Sequence, residues 1–501
     1  MQKTLMAALL AGCLLVSCKG QATPSYEGAY QDQDNKEPNL FIAAREDGRY
    51  DVEIGIYRLT TLSDGIGTVT DKGLAFTATD ASGAPIGGII TVDGDSAVVT
   101  FIHSTWPLLE NGASYTYTRR GDIASRPVKS AKPEPDVLPQ KSFTIVKQLP
   151  ITSVKNQYRS GTCWDYATLG YFESEILRKS GKTYDLCEMF VVNKDYMDCA
   201  THYVRMHGFS QISEGGSCDD VADVIRRHGI CPEEAMPLPG SLIGEPYANF
   251  RTFFPELEKT VSAVVWSEGK PELNRFTAEE QAPLRNKRPA ENWQEGVQAV
   301  IDKYVGKCPE TFVYEGKTYT PKSFAAQLGL NMDDYVSLTS YTHHPFDEWF
   351  VLEAPYKWRL KPSYNIPIDQ LMAALDRAID KGYTVAWGGD VSGNFLRREG
   401  LAFLPDGVVP SQELRQEQWD NWEFTYDHVM LIYGKAVDEA GNPYYLVKNS
   451  WGQESGPYQG IWYMSRDYMA LNTTYIFLNR EALEGTLGKA VGHSHLAKGQ
   501  Q

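Results

Sequence analysis

The sequence predicts an α+β protein preceded by a separate small all-β barrel or sandwich, on three observations. From Glu27 to about Thr118 short runs alternate apolar and polar residues, the period of half-buried strands. Residues 121 to 140 then carry Pro127, Pro133, Pro135 and Pro139 among charges, the composition of a semi-rigid linker. Beyond the linker, helical patterns come first and β-rich segments second, an order that gives two halves packed face to face.

The all-β module, residues 19–120, is read from Tyr50 to Tyr57, Ile89 to Val92 and Ala97 to Ile102, with turn pairs at Asp47-Gly48, Asp64-Gly65 and Asp93-Gly94. It holds no cluster of His, Cys or carboxylates, so it is a spacer or docking body or a ligand-binding module. In the second part, residues 141–480, amphipathic helical patterns occupy 163–180, 217–229, 293–305 and 368–381. Strands follow after about residue 383, as in Tyr383 to Trp387 and Tyr444 to Val447. Clefts for substrates form at such an interface.

Composition narrows the function. A chain of 501 residues allows about two to five domains. Its 42% hydrophobic and 22% charged content excludes disordered and fibrous classes. With 48 basic against 64 acidic residues the net charge is −16, which argues against nucleic acid as a partner. Residues 1–18 have a basic start and a short uncharged apolar run from Thr4 to Val16, the build of a secretory signal. Leu15-Val16-Ser17-Cys18 resembles the bacterial lipobox, which makes Cys18 the expected lipidation site and a lipid anchor in the bacterial cell envelope the expected address, on the outer membrane or periplasmic face. Cys13 is the alternative site, and an ordinary secreted protein the alternative fate. The other six cysteines lack zinc-site spacing. Four of them (Cys187, Cys199, Cys218 and Cys231) either pair in an oxidising compartment or are buried thiols.

The chemistry concentrates in Gln157-Tyr158-Arg159-Ser160-Gly161-Thr162-Cys163-Trp164, directly ahead of a helical run. A cysteine in the first helical turn sits at the positive end of the helix dipole, which favours thiolate and makes a nucleophile. His428, in the apolar run Tyr426 to Ile432, is the candidate acid that protonates a leaving amine. Twenty-one positions later, in Lys448-Asn449-Ser450-Trp451-Gly452, the amide of Asn449 can hold one imidazole tautomer while the Trp451 indole shields that bond from water.

This order of Gln, Cys-Trp, His and Asn-Ser-Trp-Gly resembles the papain-like cysteine peptidases. The resemblance implies a papain-like two-part fold and a catalytic set of Cys163 as nucleophile, His428 as general acid and base, Asn449 as orienting residue and Gln157 in the oxyanion hole. It implies no metal and no organic cofactor. His428 follows Cys163 by 265 positions, where secreted papains have about 130 to 150. A helical insertion is therefore expected at about 240–360. That spacing, with Gly215-Gly216-Ser217, Pro232-Glu233-Glu234-Ala235-Met236-Pro237 and Gly388-Gly389-Asp390, looks like the bleomycin hydrolase and aminopeptidase C branch.

Members of that branch are mainly aminopeptidases on short peptides, many of them hexamers, with the chain's own C-terminus in the cleft. Here the tail, residues 481–501, is polar and Gly-rich and carries His493 and His495. An endopeptidase and an inactive papain-like binding protein are thus the alternatives, and six lipid tethers fit poorly with a closed hexamer. Gly215, Gly216 and Trp451 are the expected substrate-facing residues, the glycines as a backbone wall against extended substrate or as a plain turn. Asp165 is expected to point away from Cys163 and stabilise the helix start, or to bind a substrate amine.

Overall fold

The computed structural model describes residues 26–121 and 141–491, apart from positions 34, 36–37, 46, 57–58, 81–83, 107–108, 268–276, 287, 393 and 488–490. Cys13, Cys18, the Pro-rich stretch, His493 and His495 lie outside the described residues.

The first module is a closed eight-stranded antiparallel barrel. Its strands are β1 (Gly28–Gln31), β2 (Leu40–Ala44), β3 (Tyr50–Ile56), β4 (Thr60–Thr70), β5 (Gly73–Thr79), β6 (Pro85–Asp93), β7 (Ser96–His103) and β8 (Ser114–Gly121), each paired with the next. The β1–β8 pair closes it, with Tyr30 opposite Arg119. Alternation sends Leu40, Ile42, Val52, Ile54, Leu74, Phe76, Val99, Phe101 and Tyr117 into a filled interior. Gly48 and Gly94 sit at positive φ of 78° and 57° in their turns, as their Asp-Gly pairs predict. Asp64-Gly65 is a correction: the pair lies inside β4, where the register with β3 shifts between Val52 and Ile54. A Cβ at residue 65 would run into the Val52 carbonyl oxygen, so glycine marks a bulge there and not a turn.

The second part is built on one sheet, in the order Trp349–Phe350, Ser363–Asn365, Tyr335–Thr339, Thr473–Asn479, Val385–Gly389, His428–Asp438, Pro443–Lys448, Ile461–Ser465, Leu401–Ala402 and Phe395–Leu396. Strand β9 (Phe143–Gln148) pairs with the distal half of His428–Asp438. Both faces of the sheet are covered. Val429 and Leu431 face a core shared with helices α1 (Cys163–Ser180), α2 (Glu188–Arg205), α3 (Cys218–His228) and α4 (Phe253–Val265), whereas Met430 and Ile432 face the helix Ile368–Asp380.

Three expectations change. α1 has the predicted bounds but is buried all round from Trp164 to Ile176, because it runs between the sheet and the other helices. The stretch 240–360 is not purely helical. Besides α4 and the helices Trp293–Val305 and Pro321–Gln327, it holds the hairpin Phe312–Tyr314/Lys317–Tyr319 and two strands of the main sheet, Tyr335–Thr339 and Trp349–Phe350. Strands therefore begin well before residue 383. Among the described residues, no helix is long and apolar enough to cross a membrane.

Candidate active site

Cys163 is the first residue of α1, half-buried and facing a cleft whose lining includes Gln157, Trp164, Gly215, Gly216, His428 and Trp451. The cleft runs between the start of α1 and the sheet, and its volume is about 1080 Å³. The segment leading to Cys163 is braced from both sides. The backbone N–H of Gln157 donates to the Ser450 carbonyl at 2.8 Å, and its side-chain oxygen accepts from the Ser450 hydroxyl at 2.6 Å. Its amide nitrogen donates to the Ser160 carbonyl at 2.7 Å, which uses one of its two N–H bonds. The Gly161 N–H donates to the Glu214 carboxylate at 2.8 Å, and the Trp164 indole N–H donates to the Glu214 carbonyl at 2.9 Å.

Across the cleft, His428 opens the strand His428–Asp438, opposite Gly389. Its Nε2 pairs with the Asn449 side-chain oxygen at 2.8 Å, leaving Nδ1 for the cleft. Asn449 follows the neighbouring strand and is fixed by its N–H on the Gly460 carbonyl. The Trp451 ring lies over the imidazole, centroids 4.9 Å apart, and the Arg397 guanidinium lies over the indole at 4.5 Å. Burial pulls the His428 imidazole down to about 4; the bond to Asn449 opposes that and the nearby Arg397 charge adds to it. The ring is therefore neutral at pH 7 unless a negative charge faces it.

The two glycines are needed for packing as well as for the cleft wall. A Cβ at Gly215 would come within 2.7 Å of the Tyr356 ring, and one at Gly216 within 2.8 Å of the Trp164 ring. The Gly216 carbonyl is held by the Tyr426 hydroxyl at 2.6 Å, which ties this wall to the segment leading into His428.

Asp165 is corrected. It points away from the cleft as expected, but it is fully buried and neither carboxyl oxygen has a hydrogen-bond partner among the described residues. Burial, with the negative neighbour Glu188, raises its carboxyl well above the usual range. An enclosed acid that burial biases toward its neutral form is a poor complement to the helix dipole, and it does not line the cleft where a substrate amine would sit. Cys187, Cys199, Cys218 and Cys231 are buried free thiols.

Sequence reasoning missed the charged residues of the cleft. Glu214, Arg397 and Asp427 line it. Asp427 is reachable by solvent, yet the surrounding protein and the negative Asp390 push its carboxyl up to about 7. In the sequence these read as ordinary solvated charges. Among the described residues, one group of three possible metal ligands exists, His343, His344 and Glu353, and none of them lines the cleft.

A cysteine at a helix start facing a histidine-asparagine pair across a two-part α+β cleft defines the class of cysteine-type peptidases. The Peptidase C1-like family matches residues 179–495, more than half of the chain, and the protein belongs to that family. The match begins after Cys163, so the placement of Gln157 and Cys163 rests on the geometry above. The chain is similar to aminopeptidase E of Lactobacillus helveticus, 23% identical over 362 residues that cover 64% of this chain and 79% of that protein. It is also similar to aminopeptidase C of Listeria monocytogenes, 21% identical over 423 residues, 75% and 91% of the two chains. The crystal structure of PepW from Lactobacillus rhamnosis HN001 shares the fold with a TM-score of 0.51 at 19% identity, covering 70% of this chain and 84% of that one.

Proposed function

We propose that the protein is an aminopeptidase that hydrolyses short peptides through Cys163, His428, Asn449 and Gln157. The observation that carries this reading is the shared cleft: a thiol at the start of α1 on one wall, and on the other an imidazole whose far nitrogen is already held by Asn449. The Cys163 sulfur attacks the scissile carbonyl carbon as thiolate, its proton residing on His428 Nδ1. The negative charge of the facing thiolate stabilises the imidazolium and so offsets the burial that otherwise keeps the ring neutral. The second N–H of the Gln157 amide and the backbone N–H of Cys163 stabilise the oxyanion. His428 then gives its proton to the leaving amine, and an acyl thioester remains. Water, deprotonated by the same ring, releases the acid and restores the thiol. Gly215 and Gly216 form the backbone wall beside extended substrate, and Trp451 keeps water from the His428–Asn449 bond.

The aminopeptidase assignment is supported by the names of the relatives. Its test is hydrolysis of matched fluorogenic di- and tripeptides with free and acetylated N-termini under reducing conditions. Cleavage of the free-amine forms alone is expected; equal cleavage of both would make the protein an endopeptidase. We further propose a lipid anchor on Cys18 in the bacterial envelope, supported by the signal-like residues 1–18. Labelled fatty acid should be incorporated by the native chain and lost in Cys18→Ala; label retained in that variant would reject Cys18 as the acceptor.

A further inference from the structure

The cavity that holds Cys163 and His428 is also lined by the barrel, through Asn39, Ile56, Leu59, Thr60, Thr61 and Trp106. These residues share one end of the barrel. In an antiparallel meander the β1–β2, β3–β4 and β7–β8 connections emerge on the same side, and Asn39, Leu59 and Trp106 lie in or beside those three connections. The barrel interior is packed with its own side chains, so what it offers the cleft is this outer end.

The barrel is bonded to both lips of the cleft. On one lip, the Arg159 guanidinium, between Gln157 and Cys163 in sequence, donates to the Tyr115 hydroxyl at 2.6 Å and lies over its ring. On the other, Arg398 pairs with Asp64 at 3.2 Å, next in sequence to the Arg397 that covers Trp451. A rigid body fixed to both lips obstructs the passage between them. The volume left, about 1080 Å³, is just above the small-molecule range of about 300–1000 Å³ and suits a short peptide better than a continuing chain.

We propose that the N-terminal barrel sets substrate length: its cleft-facing end closes one end of the substrate cleft, so that peptides extended in that direction are excluded. The inference rests on the peptidase reading above and adds to it the part of the chain that limits peptide length.

The test is a nested peptide series with one fixed scissile bond, lengthened residue by residue on the amino side and separately on the carboxyl side. It is assayed with the full chain and with Asp64→Lys/Tyr115→Ala, which loosens both docking contacts. For the native chain, kcat/KM should fall by at least about tenfold beyond a sharp length on the side that the barrel closes, a fall told apart from the amino-side limit of any aminopeptidase by its dependence on the docking contacts. The double variant should recover most of that loss on long peptides and leave the shortest unchanged. Adding Arg398→Asp to Asp64→Lys, with Tyr115 kept, should restore the cut-off. Thr61→Trp, which thickens the wall without touching the docking contacts, should move the cut-off to a shorter peptide. Equal rates across the series in the native chain would overturn the inference while leaving the peptidase reading intact. So would variants that change short and long peptides alike. No hydrolysis of any peptide, with Cys163 still open to alkylation by iodoacetamide, would overturn the peptidase reading and this inference with it.

Discussion

Replacing Cys163 by alanine is expected to lower kcat by about 10⁴-fold or more without lowering stability. The thiol is the nucleophile of the proposed reaction, and among the described residues no other cysteine can take its place: Cys187, Cys199, Cys218 and Cys231 are buried, and the half-buried Cys308 does not line the cleft and is raised by burial to about 12. The side chain is half-buried at the cleft, so its truncation leaves no enclosed void. The variant also isolates the imidazole. With no thiolate facing it, His428 should titrate near the value of about 4 that burial imposes. Because this folded value lies below the ordinary one of about 6.5, the contribution of His428 to stability is present above about pH 6.5 and lost as pH falls toward 4. Proton-detected titration of the imidazole in Cys163→Ala checks this, and turnover in that variant within tenfold of native would remove Cys163 from the mechanism.

The second large effect concerns folding. Arg359, nearly enclosed, meets Asp195 at 2.6 Å, Asp198 at 3.0 Å, Asp223 at 3.1 Å and Asp220 at 3.2 Å. It joins the loop before the strand Ser363–Asn365 to α2 and α3. Arg359→Met should destabilise the protein by about 3–5 kcal/mol, since it leaves buried carboxylates facing one another without a counter-charge. Burial and the adjacent Asp195 already raise Asp220 to about 8, with Arg359 opposing them. A folded value above the unfolded one means that protonation favours the fold, so stability held at low pH is lost as pH rises through about 8. The deficit of Arg359→Met should accordingly be smaller at pH 5 than at pH 8. Urea denaturation at both values decides it; a loss under about 1 kcal/mol at pH 8 would show that the carboxylates find other partners.

Much of this site was legible because its residues are chemically unusual and come in a fixed order. Cys163 ahead of a helical run, His428 in an apolar strand and Asn449 beside Trp451 need no distance information to be grouped. Helix periodicity likewise gave the bounds of α1 and of Trp293–Val305. The remainder depends on contacts that local pattern does not encode. Asp165 has the look of an exposed helix-start acid until the sheet and neighbouring helices enclose it. Tyr335–Thr339 is too short for its alternation to outweigh the helical stretches before it. Asp64 and Arg398 lie 334 positions apart, and nothing near either one announces that they meet. Glu214, Arg397 and Asp427 became visible only when the fold brought them into one cleft lining.

Strand β9 begins two residues after Lys141 and is hydrogen-bonded to the strand that His428 opens. Every proposed catalytic residue, and every strand of the sheet that supports the set, therefore lies downstream of Gly121. A cut in the backbone between Gly121 and Lys141 would sever the covalent link to the barrel without removing a single strand from that sheet. The barrel is in this sense a detachable accessory, one that recombination could graft onto, or trim from, an already complete catalytic framework.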